Sequence, residues 1–257
     1  MSTQIVERMA AEIAGSGDPV VLIHGLGGTS NVWTPVLPAF ASRARVIRFD
    51  LPGSGRSPAG GPLSIQAFVD RIARAMRVLG AERARVGGHS LGTIVAAQLA
   101  QQHPDLVRDL VLLGALPEPP EPARNALKAR AAKARAEGLA GIADQMCEVS
   151  LSRDTREKNP LAVAYVRETI MRQDAEGYAA TCEALSEARA ADFARIGKRA
   201  LLVTGEDDPV GTPAMSRDIA ARLPGSHAEI LPRMGHWTPV ERPMEVGRAM
   251  AQFWFGR

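Results

Sequence analysis

The sequence predicts an α/β fold: a mostly parallel central sheet, helices on both of its faces, and a helical segment inserted into that framework. Three observations carry this expectation. Short apolar runs alternate with helix-period segments along most of the chain, which requires crossover connections between parallel strands. The alternation stops in the middle, where a proline-rich stretch opens a long helical segment rich in Ala and Arg. The chain has 257 residues, 46% of them hydrophobic, enough for a full core in one domain.

The elements follow in order. "PVVLIHG" (Pro19–Gly25) reads as a buried strand that stops at glycine, and "RVIRFDLPG" (Arg45–Gly53) as a second strand. "SIQAFVDRIARAMRVLG" begins with a capping serine, Ser64. It repeats apolar residues at Ile65, Phe68, Ile72, Met76 and Leu79 and stops at Gly80, the pattern of an amphipathic helix. "ARVGG", "LGTIVAAQLAQQH" and "VRDLVLLG" continue as strand, helix and strand. "PEPPEP" (Pro117–Pro122) is expected to be neither helix nor central strand. Helical sequence without a clear strand follows, an insertion rather than a second independent domain. "RALLVTG", "TPAMSRDIAARL", "HAEILP" and "PMEVGRAMAQFWF" then restore the strand–helix–strand–helix rhythm. The expected division is a core of residues 1–116 and 195–257 with an inserted helical cap at 117–194. No internal repeat or low-complexity tail is evident.

Composition narrows the function classes. The formal charge is +3 and the pI about 9.2, yet Arg and Lys interleave with acids and alanine instead of forming runs. Nucleic-acid and membrane partners are therefore not expected. Cys147 and Cys182 lie in no CxxC or Cys/His metal spacing, so two free thiols in a reducing compartment are expected. The first twenty residues do not read as a secretory signal, and no apolar stretch approaches the roughly 20 residues a membrane helix needs. The cytoplasm is the expected location.

Chemistry is concentrated at "RVGGHSLGT" (Arg85–Thr93). Gly88-His89-Ser90-Leu91-Gly92 fits G-x-S-x-G between an apolar strand and a helix built on Leu91, Ile94, Val95 and Leu99. In that setting glycines relieve a turn too tight for flanking side chains, and the serine oxygen is pushed out over the sheet. The helix N-terminus beneath it supplies free N–H groups and a positive dipole end. The bland alternative is a Gly-rich connection with an inert serine.

A serine hydroxyl needs a base. Of five histidines, His89 lies inside the turn, His103 near a helix end, His227 at the start of a strand and His24 at the end of one. His236, in "MGHWTPVERP", lies in a loop at the strand C-terminal edge and faces the same crevice as the serine turn. It is the expected base, although it could instead pack beside Trp237 as a structural histidine. The base needs an orienting carboxylate. "GEDDPV" presents Glu206, Asp207 and Asp208 after a strand. Asp208 is favoured because it lies furthest into the loop and precedes Pro209; Glu118, after the strand ending at Gly114, is the alternative. The order Ser90, Asp208, His236 differs from that of other serine hydrolase folds.

"HGLGGTSNVW" follows the first long apolar strand. Its glycines Gly25, Gly27 and Gly28 let the N–H of Leu26 point at developing negative charge, together with the N–H of Leu91; the two form the expected oxyanion hole. A nucleotide-binding loop is excluded by spacing, since G-x-G-x-x-G would need glycine where Ser30 stands, and no G-x-x-x-x-G-K-[ST] occurs.

"VVLIHGLGGTSNVW", "RVIRFDLPGSGRS", "GGHSLG", "GEDDPV" and "GHWTPVERP" together resemble the α/β-hydrolase superfamily in its lid-bearing branch, over nearly the whole chain. The resemblance implies a chiefly structural role for the loop Asp50–Ser57. The insertion is similar to the cap of 3-oxoadipate enol-lactonases, with "ARAEGLAGIADQM" and "DAEGYAATCEAL" resembling two cap helices. Two stretches differ: the turn reads GHSLGT where those lactonases usually show a leucine and a third glycine, and "CEVSLSRDT" lacks the tryptophan expected there. The resemblance implies a lactonase or related carboxylic ester hydrolase that takes a small ester or lactone and needs no metal or organic cofactor. Serine at position 90 argues against haloalkane dehalogenases and epoxide hydrolases, which resemble this fold but place an aspartate there. Carbon–carbon bond hydrolysis, and a non-catalytic small-molecule-binding protein of the same fold, are the alternatives.

Overall fold

The structure is a computed structural model that describes residues 2–256. The chain enters through a hairpin, β1 (Ser2–Val6) and β2 (Met9–Ala14), that was not expected from the sequence. Its two central residues, Glu7 and Arg8, both adopt positive φ, 50° and 62°. That geometry matches the strand twist but normally selects Asn-Gly, so the sequence carried no turn signal there.

β3 (Pro19–Ile23) leads into a 3-10 segment at Ser30–Ala39, and β4 (Arg45–Phe49) follows. α1 (Ile65–Val78) is capped by Ser64, whose hydroxyl accepts from Ala67 N at 3.0 Å. β5 (Ala84–His89), α2 (Leu91–Gln102) and β6 (Val107–Leu113) complete the first half. The chain then leaves the sheet for α3 (Glu121–Glu137), α4 (Ala140–Ser150), α5 (Arg153–Lys158), α6 (Pro160–Met171) and α7 (Ala175–Ser186). It returns through β7 (Ala200–Gly205), α8 (Pro213–Arg222), β8 (His227–Leu231), α9 (Thr238–Glu241) and α10 (Pro243–Phe255).

Among the described residues, eight strands run in the order β1-β2-β4-β3-β5-β6-β7-β8. Only the pairs involving the N-terminal hairpin are antiparallel; from β4 onward every pair is parallel. Side-chain alternation divides the core in two. Val21, Ile23, Val86, Leu110, Leu112 and Leu202 face α1, α2 and α8. Val20, Leu22, Val111, Leu113, Leu201 and Val203 face the 3-10 segment and α10, where Phe40 and Trp254 meet edge to face. Helices on both faces are thus required by strands that are apolar on both sides.

Two expectations about the insertion change. α3 begins inside the proline run, with Pro122 in its first turn, because first-turn N–H groups have no intrahelical acceptor and proline loses nothing there. "ARAEGLAGIADQM" is not one helix. It is the end of α3 and the start of α4, broken at Gly138 with φ +77°. Arginines of the insertion mostly pair on exposed faces: Arg135 with Glu176 and Glu183, Arg167 with Asp144, Arg172 with Glu168. Buried Arg124 donates to the carbonyls of Ser186 and Ala188 as well as to Glu118. Cys147 and Cys182 are unpaired and buried, and burial pushes the Cys182 thiol up to about 12. Among the described residues no helix is long and apolar enough to cross a membrane.

Candidate active site

The opening feature of the site is the turn between β5 and α2. Ser90 sits at its apex with φ +53° and ψ −122°, a conformation that costs a non-glycine residue about 1–3 kcal/mol. The flanking glycines are required by close approach. A Cβ on Gly88 would lie 2.3 Å from the Gly92 carbonyl oxygen, and one on Gly92 would lie 2.2 Å from that of Ile23. The apex is fastened to the sheet by Ser90 N–H donating to Leu113 O at 3.0 Å.

Two loops at the same end of the sheet reach the serine. Ser90 Oγ lies 2.8 Å from His236 Nε2. On its other side the imidazole meets Asp208, with Nδ1 2.9 Å from Oδ1 and 2.8 Å from Oδ2. A carboxylate only accepts, so Nδ1 carries the proton and Nε2 is left to accept from the serine hydroxyl. Asp208 is itself held: Oδ1 accepts from the N–H groups of Val210 at 2.8 Å and Gly211 at 2.9 Å. All three side chains are buried. Gly114, at the end of β6, keeps the space open. A Cβ there would come within 3.0 Å of Asp208 Oδ2 and 3.1 Å of His236 Nδ1.

The glycine loop after β3 closes over the serine from another direction. A Cβ on Gly25 would stand 2.8 Å from that of Ser90. Leu26 is the next residue in that loop, and Leu91 is the first residue of α2, where N–H groups have no intrahelical acceptor. The insertion packs on the same loop: a Cβ on Gly27 would meet Ile170 of α6 at 3.1 Å and Tyr178 of α7 at 3.2 Å.

The two alternatives for the acid separate in space. Glu118 accepts from Arg124 at 3.2 Å and from Ala190 N–H at 3.2 Å, partners unconnected to His236. The loop Asp50–Ser57 acts as a brace. Asp50 accepts from Ser30 N–H at 2.8 Å and from Arg56 at 2.9 Å, which hold its carboxyl below the usual range despite burial.

Several surrounding residues were assigned no role from the sequence, His24 and His89 having been weighed only as bases. His24 donates from Nδ1 to Gly25 O at 2.8 Å and accepts from Leu51 N–H at 2.9 Å, which fixes the glycine loop; burial lowers its pKa. His89 donates from Nε2 to the carbonyl of His236 at 2.8 Å, and burial pushes it down to about 3. Ser150 and Glu241 hold the backbone around His236. The only sequence signal for His24 and His89 was their place beside glycine turns. Among the described residues no group of three or more His, Cys, Asp or Glu could hold a metal ion.

Comparison with known proteins gives concordant matches. A family model described as the alpha/beta hydrolase fold matches residues 18–243. An (E)-2-((N-methylformamido)methylene)succinate hydrolase of Acinetobacter baylyi is 29% identical over 246 residues, 93% of this chain and 91% of that protein. Among solved structures, the enol-lactonase from Burkholderia xenovorans LB400 superposes with a TM-score of 0.91 at 28% identity, over 98% of this chain and 99% of that one. A thermophilic esterase from Thermogutta terrifontis superposes with a TM-score of 0.90 at 27% identity, over 95% and 92%.

Proposed function

The chain belongs to the α/β-hydrolase fold family, and from that premise we propose that it is a serine hydrolase of carboxylic esters or lactones. The observation that carries the reading is the continuous hydrogen-bonded relay Ser90–His236–Asp208, with the base 2.8 Å from the serine oxygen. His236 removes the Ser90 proton as Oγ attacks the carbonyl carbon. Asp208 holds the imidazole in the required tautomer and stabilises its charged form. The N–H groups of Leu26 and Leu91 receive the oxyanion, each donor worth about 3 kcal/mol of barrier. The tetrahedral intermediate collapses to an acyl-enzyme as His236 gives its proton to the leaving oxygen. Water, deprotonated by His236, then releases the acid and restores Ser90. Residues 117–194 act as a cap on a core of residues 1–116 and 195–257, and Ile170 and Tyr178 bring that cap onto the glycine loop.

The similarity to an enol-lactonase and to an esterase supports an ester or lactone carbonyl as the target. The test is kcat/KM for 3-oxoadipate enol-lactone beside a short p-nitrophenyl ester, with Ser90→Ala as control and fluorophosphonate labelling read by mass. A strong lactone preference, lost with the label in Ser90→Ala, is the expected result. Ester turnover without lactone turnover would remove the lactonase assignment. An unlabelled wild-type protein that turns over neither would overturn the serine-hydrolase reading.

A further inference from the structure

Resting on that reading, we propose that Glu241 is a positioning residue for His236, and that through it the inserted helices set the alignment of the base. Glu241 is buried at the end of α9, and its carboxylate accepts four hydrogen bonds, none of them from Ser90. Two come from the backbone on either side of the base: Gly235 N–H to Oε2 at 3.0 Å and Trp237 N–H to Oε1 at 3.0 Å. Two come from the insertion: the N–H of Ser152, which caps α5, at 3.0 Å and the hydroxyl of Thr155, within α5, at 2.7 Å, both to Oε2. The intervening N–H, that of His236, donates to Ser150 O at 2.8 Å, and the Trp237 indole donates to Ser150 Oγ at 3.0 Å.

Three consecutive N–H groups centred on the base therefore end on Glu241 or on the insertion. None is donated to the sheet that carries Ser90 and Asp208. The contact is close enough to demand glycine at 235, where a Cβ would lie 2.6 Å from Ser150 O and 2.9 Å from Glu241 Oε1. A movement of α4 and α5 is transmitted directly to the imidazole, and small misplacements of a catalytic group are costly, about 10²-fold for 1 Å.

Glu241→Gln tests this. Three donors converge on Oε2, so the amide oxygen must remain there, and its NH2 then faces the Trp237 N–H, donor against donor. The expected result is a fall of about tenfold or more in kcat and in the rate of Ser90 phosphonylation, with KM nearly unchanged, in a protein still folded at assay temperature. The downfield proton resonance between His236 and Asp208 is expected to shift. Thr155→Val and Ser150→Ala, both in the insertion, are expected to lower the same rates by smaller factors. A folded Glu241→Gln protein with wild-type phosphonylation rate and unshifted resonance would overturn the proposal. Should Glu241→Gln not fold, wild-type rates in both insertion variants would overturn it. If the wild-type protein is never phosphonylated, the hydrolase reading has failed separately, and the resonance in Glu241→Gln still decides whether Glu241 aligns His236.

Discussion

Replacing Asp208 by asparagine should disable the relay while leaving its geometry in place. The outcome follows from which oxygen is already committed. Oδ1 accepts from two backbone N–H groups, those of Val210 and Gly211, at 2.8 and 2.9 Å. An asparagine must keep its carbonyl oxygen there, since an NH2 facing two N–H donors would leave all of them unsatisfied. Its NH2 then occupies the place of Oδ2, 2.8 Å from His236 Nδ1. A donor 2.8 Å from Nδ1 competes with the retained oxygen, 2.9 Å from the same nitrogen, and favours the tautomer in which Nδ1 accepts and the ring proton moves to Nε2, the atom 2.8 Å from Ser90 Oγ. The base would then point a proton at the hydroxyl it must deprotonate. A wrong tautomer of this kind lowers turnover by about 10⁴-fold, equivalent to about 5 kcal/mol of barrier. The assay is kcat for a p-nitrophenyl ester in Asp208→Asn and Glu118→Gln, each checked for folding by thermal unfolding. Glu118→Gln should retain near wild-type turnover because Glu118 faces Arg124 and the Ala190 N–H. Asp208→Asn within about tenfold of wild type would refute the tautomer argument. Loss of activity in Glu118→Gln alone would move the acid to that residue.

Strain at the nucleophile should be visible as stability. Ser90→Gly and Ser90→Ala both lose the hydroxyl and should both be inactive, but only glycine accepts φ +53°. Relief of about 1–3 kcal/mol of strain, less about 0.4–1 kcal/mol of added unfolded-state entropy, should leave Ser90→Gly about 1 kcal/mol more stable in urea unfolding. Equal or lower stability of the glycine variant would show that the turn is unstrained. Acid should weaken the fold through its buried histidines. His89 falls from an ordinary 6.5 to about 3 on folding, and His24 is also lowered, both chiefly by burial. The unfolded chain therefore binds more protons across that window. The stabilisation is complete above pH 6.5 and is lost as pH falls towards 3, with a slope of up to about 1.4 kcal/mol per pH unit per histidine. Replacement of His89 by Gln should flatten the dependence of melting temperature on pH between 6.5 and 3. An unchanged slope would show that His89 is protonated in the folded protein.

The parts of the fold legible in the sequence are those where local chemistry and tertiary environment make the same demand. β3 and β7 read as nearly continuous apolar runs because helices cover both faces of the sheet. The turn at Ser90 was legible because its glycines answer contacts of 2.2–2.3 Å that no other residue survives. The hairpin β1–β2 was silent because Glu7 and Arg8 hold a turn that usually advertises itself with Asn-Gly, and the pairing of β2 with β4 settles the register instead. In the insertion, the break at Gly138 lay inside otherwise helix-forming sequence, where a single glycine with φ +77° ends α3 and α3 then packs on α7 and α4 on α6. The same distinction runs through the site. Ser90, Asp208 and His236 each stand in a short stretch whose turn chemistry is local. Glu241 does not: its partners Ser152 and Thr155 are more than eighty positions away, and a lone Glu in "TPVERP" reads as surface. What a sequence hides most easily is a group whose role is to join distant segments, because its meaning lies in donors that only the fold supplies. In this chain those donors belong to the insertion. On the proposed reading, the residues that perform chemistry stand in stretches around the sheet, and the residues that align the base are divided between those stretches and the inserted helices.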